Sequence, residues 1–274
     1  MNPRSLLERY NIQPKKSLGQ NFLHDPGVLD KIAAAAELTP ADAVLEIGPG
    51  TGALTERLAA AAGRVVAVET DARLQPLLAE RLAGCSHVEV VYADILAVDV
   101  PALMGPAPYI VVANLPYYIT SAILRHLLEA PRRPRRLVLT VQQEVAERIM
   151  AAPGDLSLLA VSVQFYGQPR TVMHIKPAAF WPRPDVDSAV LRIDVYDRPP
   201  VDVPDERAFF RVVRAGFSQK RKQLRNALGA GLGLGGEAAA ALLTRAGVDP
   251  RRRAETMTLA EWAALARAAA EGGL

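Results

Sequence analysis

The chain has 274 residues, half of them apolar, which is enough for a full-sized α/β domain with a smaller companion and argues against wholesale disorder. A lone cysteine, Cys85, excludes an internal disulfide and offers no cluster of ligands, and no apolar run approaches the roughly eighteen residues of a membrane span. Net charge is only +3, but residues through Pro199 carry 20 basic and 21 acidic side chains against 12 and 8 from Pro200 onward, a basic tail that suggests a polyanionic partner.

The first ten residues hold Arg4, Glu8 and Arg9 and lack the apolar stretch of a secretory signal. A soluble, cytoplasmic protein with no metal and no membrane attachment is therefore expected. Short β-branched runs follow at Ala43–Ile47, Arg64–Glu69, Val88–Tyr92, Tyr109–Ala113 and Leu137–Val141. They are near-continuously apolar rather than alternating, as strands buried on both faces of a parallel sheet read. Leu54–Ala61, Ala72–Leu82 and Ile119–Leu128 between them have helical spacing, so a doubly wound sheet is predicted.

After Gly154 the pattern changes. Leu158–Tyr166 fits helix or strand, while Thr171–Ile175 and Ala189–Val195 read as strands that extend one edge of the sheet as an antiparallel addition. The stretch Asp197–Pro204, three of its eight residues proline, reads as a linker. Beyond it only helices are predicted: Asp205–Phe217, Lys220–Leu228, Glu237–Ala246 and Leu259–Ala270, with Asp205 and Thr258 as N-caps. The expected domains are 1–199, including an N-terminal arm over 1–25, and 200–274.

Gly48-Pro49-Gly50-Thr51-Gly52 runs off the first long strand into a helix. Glycines there let a nucleotide-like ligand lie against main-chain N–H groups. Glu69 ends the next strand, 21 residues after Gly48, where a carboxylate can accept both ribose hydroxyl protons. A dinucleotide and an adenosyl group suit this loop equally. Two later features favour the adenosyl group. Asp94 follows the third long strand, where an adenine amine would be presented. Asn114-Leu115-Pro116-Tyr117 ends the fourth, on the edge where open α/β sheets bind ligands. An adenine N6 amine is a poor nucleophile because its lone pair is delocalised into the ring. The Asn114 side-chain oxygen and the Leu115 carbonyl, stiffened by Pro116, would accept its two protons and draw the nitrogen toward sp³ geometry. Tyr117 would supply an aromatic face for a base taken out of its helix.

These segments resemble the ribosomal RNA adenine dimethyltransferase family over nearly the whole chain. Lys15–Leu23 (KKSLGQNFL) is similar to its N-terminal cofactor segment, Glu46–Gly52 to its cofactor loop, Asn114–Tyr117 to its catalytic motif, Phe180–Ser188 (FWPRPDVDS) to its Phe-x-Pro-x-Pro-x-Val-x-Ser segment, and Phe217–Asn226 to its basic signature, with Gln223 where threonine is frequent. The resemblance implies a Rossmann-like S-adenosylmethionine-dependent methyltransferase sheet with a small all-helical C-terminal domain that recognises RNA. It further implies that Asn21, Leu23, Gly48, Gly50, Glu69, Asp94 and Asn114 contact S-adenosylmethionine, with S-adenosylhomocysteine as product, and that Phe180 stacks on the target adenine opposite Tyr117. The implied reaction is N6,N6-dimethylation of two adjacent adenines in a loop near the 3′ end of small-subunit (16S) rRNA, by a monomer acting on the small ribosomal subunit.

For RNA contact the sequence offers Lys15 and Lys16, the cluster Arg132, Arg133, Arg135 and Arg136, the run Arg251–Arg253, and Arg207, Arg211, Arg214, Arg221 and Arg225 at near-helical steps, with Lys222 beside them. Three rivals predict different behaviour: an antibiotic-resistance enzyme methylating large-subunit rRNA, a non-catalytic RNA-binding assembly factor, and an NAD-dependent dehydrogenase, which has no use for Asn114–Tyr117.

Overall fold

The computed structural model describes residues 3–273; Met1, Asn2 and Leu274, at the outer ends of the two expected domains, lie outside the described residues. In chain order the strands are β1 (Phe22–Leu23), β2 (Ala43–Ile47), β3 (Arg64–Glu69), β4 (Val88–Tyr92), β5 (Tyr109–Asn114), β6 (Arg136–Gln142), β7 (Gly167–Ile175), β8 (Phe180–Trp181) and β9 (Ser188–Val195). Seven form one sheet in the order β4-β3-β2-β5-β6-β9-β7, and β1 pairs with β8 apart from it. Strands β2 to β6 are mutually parallel, whereas β9 runs antiparallel to β6.

The residues explain the sheet. Val44, Leu45, Val65, Val66, Ile110, Val111, Leu137 and Val138 are all fully buried, so both faces of the central strands are covered and an unbroken apolar run is the stable composition. On one face Leu29 and Ile32 of the Pro26–Ala35 helix and Leu54 and Leu58 of the Ala53–Ala61 helix join Val44, Val65, Ile110 and Val138. A separate apolar cluster gathers Leu6, Leu7, Ile12, Phe22, Leu74, Leu77 and Leu78, which turns the start of the expected N-terminal arm into a packed helix, Pro3–Arg9. Strand order reverses around β2 and β5, whose ends are in register, Ile47 opposite Ala113. That is the topological switch point where a crevice opens beyond the carboxyl ends of strands.

Two compact units divide the chain: one through Ala146 plus Gln168–Val195, the other Glu147–Gly167 plus Tyr196–Leu274. A single boundary near Pro200 therefore misses a discontinuity, because Glu147–Gly167 belongs with the helical unit. The reason is aromatic packing. Leu158–Tyr166 is a helix capped by Ser157, and Phe165 stacks on Phe209 with ring centroids 4.5 Å apart. Tyr166 donates from its hydroxyl to Glu206 at 3.0 Å.

The remaining helices of that unit are Glu206–Phe217, Leu224–Leu232, Gly236–Arg245 and Leu259–Glu271. Asp205 and Thr258 cap the first and last, Thr258 in a reciprocal capping box with Glu261. The helix expected from Lys220 instead begins at Leu224. Ser218 bonds back to the Ala215 carbonyl, and the Leu224 and Arg225 N–H groups donate to the carbonyls of Arg252 and Pro250, so 218–223 is a turn. Gly216 is required here, since a Cβ would lie 2.3 Å from the buried Trp262 ring. Among the described residues no single helix is long and apolar enough to cross a membrane.

Candidate active site at the carboxyl edge of the sheet

Past the ends of β2, β3 and β5 lies a cavity of about 270 Å³ bordered by Gly48, Gly50, Glu69, Asp94, Asn114 and Tyr117, among others. The loop that floors it depends on glycine: Gly48, Gly50 and Gly52 have φ of +71°, +56° and +78°, a region closed to most side chains. A Cβ on Gly50 would also sit 3.0 Å from the Phe22 ring. Glu69, at the end of β3, accepts from Gly50 N–H at 3.1 Å and from Asp71 N–H at 2.8 Å. Burial raises its pKa, and these donors pull the other way. Asp71 is held well below the usual carboxylate range, to about 2, first by its hydrogen bond from Arg73, and it takes the Gln20 amide at 2.9 Å.

The amide of Asn114 has a settled orientation. Its nitrogen donates to the Asn21 carbonyl at 2.9 Å, and Asn21 in turn donates to Gly19 O at 3.3 Å. That leaves Oδ1 of Asn114 as an acceptor with no partner among the described residues. The Leu115 N–H is taken by Thr140 O at 3.2 Å, and the Pro116 carbonyl accepts from Ile119 N–H at 3.3 Å. The Leu115 carbonyl has no partner among the described residues. Two unoccupied acceptors, one side-chain and one main-chain, thus stand at adjacent residues. The Tyr117 hydroxyl pairs with Ser188 Oγ at 2.6 Å; burial raises its pKa, so the phenol stays neutral and its ring is anchored at both ends.

Phe180 and Leu23 lie outside the main cavity. Phe180 is only 1 % exposed and belongs to the core cluster with Ile32, Leu54 and Val190. It does not border the cavity, because pairing of β8 with β1 sets it opposite Leu23. Leu23, also buried, borders a recess of about 30 Å³ behind the loop, shared with Glu46, Gly48, Gly50 and Asn114, rather than the main cavity. Asp94 accepts from Leu96 N–H at 3.0 Å through one oxygen and keeps the other free among the described residues.

Gln20, Tyr118 and Glu46 have no individual role in the sequence pattern alone. The polar pair Gln20-Asn21 between a glycine and the apolar Phe22-Leu23 is a weak signal for Gln20, and the Tyr-Tyr doublet is the available signal for Tyr118. For Glu46, a carboxylate inside a buried strand was itself the clue. Among the described residues no group of three or more His, Cys, Asp or Glu side chains is arranged to hold a metal.

The family model described as ribosomal RNA adenine dimethylase matches residues 11–271 of this chain. The chain belongs to that family. It is 46 % identical over 260 residues to the ribosomal RNA small subunit methyltransferase A of Dehalococcoides mccartyi (strain CBDB1), covering 94 % of this chain and 89 % of that protein. To the protein of the same name in Moorella thermoacetica it is 48 % identical, covering 96 % and 95 %. Among solved structures, a dimethyladenosine transferase from Plasmodium falciparum superposes with TM-score 0.79 at 24 % identity, covering 92 % of this chain and 98 % of that one, a likeness of fold. The 23S rRNA methyltransferase ErmE gives 0.71 at 32 % identity, covering 90 % and 99 %. The sheet of this chain is therefore a Rossmann-like methyltransferase sheet, accompanied by a helical C-terminal unit.

The basic clusters of this chain are not equivalent. Arg135 pairs with Asp42, Arg136 with Glu37 and Asp194, and Arg132 and Arg133 donate to the carbonyls of Pro101 and Leu128. Arg251 and Arg252 are tied to Asp249 and Glu261. By contrast Lys15 and Lys16 are exposed without ion pairs among the described residues, as are Arg207, Arg211 and Arg214, one face of a single helix, and Lys220, Arg221, Lys222 and Arg225. The stripe predicted from Arg207 to Arg225 is broken by the 218–223 turn.

Proposed function

We propose that this protein is a 16S rRNA adenine-N6 dimethyltransferase that modifies two adjacent adenines near the 3′ end of small-subunit rRNA during subunit assembly. The observation that carries the chemistry is the fixed amide of Asn114, whose nitrogen is spent on the Asn21 carbonyl. Its oxygen and the Leu115 carbonyl accept the two N6 protons and localise the nitrogen lone pair. Tyr117, immobilised through Ser188, offers its ring to the base.

The donor set fits S-adenosylmethionine. Glu69 would take the ribose hydroxyls, the free oxygen of Asp94 the adenine amine, and Asn21 with the Gly48–Gly52 backbone the methionine end, while Ile47, Val68 and Ile95 supply apolar walls. When bound, this cofactor supplies a methyl group activated by a sulfonium. No strong base is needed at Asn114, because an alkylated ammonium sheds its proton to water; alignment supplies most of the rate. After one transfer a single N–H remains, so one of the two acceptors suffices to orient the second.

Phosphate contact is assigned to the unpaired cations, Arg221, Lys222 and Arg225 with Arg207, Arg211 and Arg214, and to Lys15 and Lys16. Small-subunit rather than large-subunit rRNA is favoured by identity: 46–48 % to relatives named for the small subunit against 32 % to ErmE. The protein is expected to act as a soluble, cytoplasmic monomer. Incubation with labelled S-adenosylmethionine and each undermethylated subunit tests the reading. Label should enter small-subunit rRNA as N6,N6-dimethyladenine; label only in the large subunit would refute it.

A further inference from the structure

Tyr118 is 63 % exposed and stands on the 117–119 turn at the wall of the cavity, beside Tyr117. It is braced rather than loose. Gly19 has φ +60°, and a Cβ there would meet Cδ1 and Cε1 of the Tyr118 ring at 3.2 Å and the Pro116 Cβ at 3.4 Å. One side of the ring thus rests on backbone that only glycine leaves bare. That backbone is itself secured. Gly19 N–H donates to Lys16 O at 3.0 Å, Gln20 accepts from Lys15 N–H at 2.7 Å, and Gln20 is fastened to the Asp71–Arg73 pair.

The same turn carries Lys15 and Lys16, exposed and without ion pairs among the described residues. The Tyr118 hydroxyl has no hydrogen-bond partner there either, so the ring is not held for the sake of its polar end. A supported aromatic face at a cavity mouth, with two ammonium groups on the adjoining turn, has the composition of a single-strand nucleic-acid platform.

We propose that Tyr118 is a stacking platform for the unpaired RNA base next to the adenine that enters the cavity, with Lys15 and Lys16 holding that strand's phosphates. The proposal rests on the rRNA-methyltransferase reading above and adds a positioning residue to it. Stacking is indifferent to base identity, so Tyr118 raises residence of the strand rather than selecting its sequence. The hydroxyl is dispensable; the ring is not.

The test compares wild type with Tyr118→Ala, Tyr118→Leu and Tyr118→Phe. Three quantities are measured: affinity for S-adenosylhomocysteine by calorimetry, affinity for a fluorescent single-stranded oligoribonucleotide containing two adjacent adenines, and KM and kcat on undermethylated small subunits. Tyr118→Ala and Tyr118→Leu should each weaken oligoribonucleotide binding and raise KM by about tenfold, the size of one base–aromatic stack. Tyr118→Phe should match wild type, and S-adenosylhomocysteine affinity should be unchanged in all three. Unaltered strand binding in Tyr118→Ala would overturn the proposal. So would an equal loss in Tyr118→Phe, or a parallel loss of S-adenosylhomocysteine binding, which would make the ring a cover for the cofactor. Wild type that binds the strand normally yet methylates neither subunit would count against the proposed reaction and leave the platform standing.

Discussion

Glu46 lies on β2 one residue before the loop strand ends, only 1 % exposed, and its Oε2 has no hydrogen-bond partner among the described residues. Burial raises its pKa from 4.5 to about 8, the neighbouring Glu69 charge adding to the rise and Thr55 opposing it. The folded protein therefore holds this proton more tightly than the unfolded chain does. Its contribution to stability is complete below pH 4.5, declines as pH rises, and is gone at about pH 8. At pH 7 the unfolded chain has ionised the group and the folded one has not, which costs about 3 kcal/mol relative to acid. Glu46→Gln keeps the shape and cannot ionise. The variant should gain on wild type by about 1.4 kcal/mol per pH unit across that window, less a constant penalty for its unsatisfied amide. Urea unfolding at several pH values measures this. The chain's two tryptophans fall one in each compact unit, so a Trp262→Phe background leaves Trp181 to report on the sheet unit. Parallel stability curves for Glu46→Gln and its parent would show that Glu46 is ionised in the folded protein and would refute the reasoning.

Asn114→Ala should abolish methyl transfer to small subunits, measured with labelled cofactor, while the melting temperature stays close to that of wild type. Asp71→Asn should lose about 2 kcal/mol at neutral pH. A folded carboxylate whose pKa is lowered from 3.8 to about 2 contributes stability above pH 3.8 that fades as pH falls toward 2, so the gap to wild type should close over that range in acid-unfolding curves. Replacing Arg221 and Arg225 together by alanine should weaken RNA binding and reduce its salt dependence, with S-adenosylhomocysteine binding intact. Arg252→Ala should instead lower the melting temperature and leave the salt dependence alone, since Arg252 is bonded to Glu261 and to the Thr256 carbonyl.

Local chemistry was legible where a segment's own composition decides its state. Tyr109–Ala113 could be read as strand because a run buried on both faces must be apolar throughout, and Asp205 and Thr258 as caps because a short oxygen-bearing side chain satisfies N–H groups in its own turn. The glycine loop was legible because positive φ excludes other residues.

What the tertiary structure alone decided depends on partners distant in the chain. The side Asn114 presents is set by a carbonyl 93 residues earlier. The start of the Leu224 helix is set by carbonyls at Pro250 and Arg252. Phe180 is core rather than cavity wall because β8 pairs with β1. Which arginines remain free for phosphate was equally unreadable, since Arg135 and Arg136 look like Arg221 until Asp42, Glu37 and Asp194 are folded against them. Residue type and short spacing therefore determined most of the elements, the glycine loop and the residue types of the candidate site. Orientation, burial and charge neutralisation are properties of pairs of atoms, and only folding brings those pairs together.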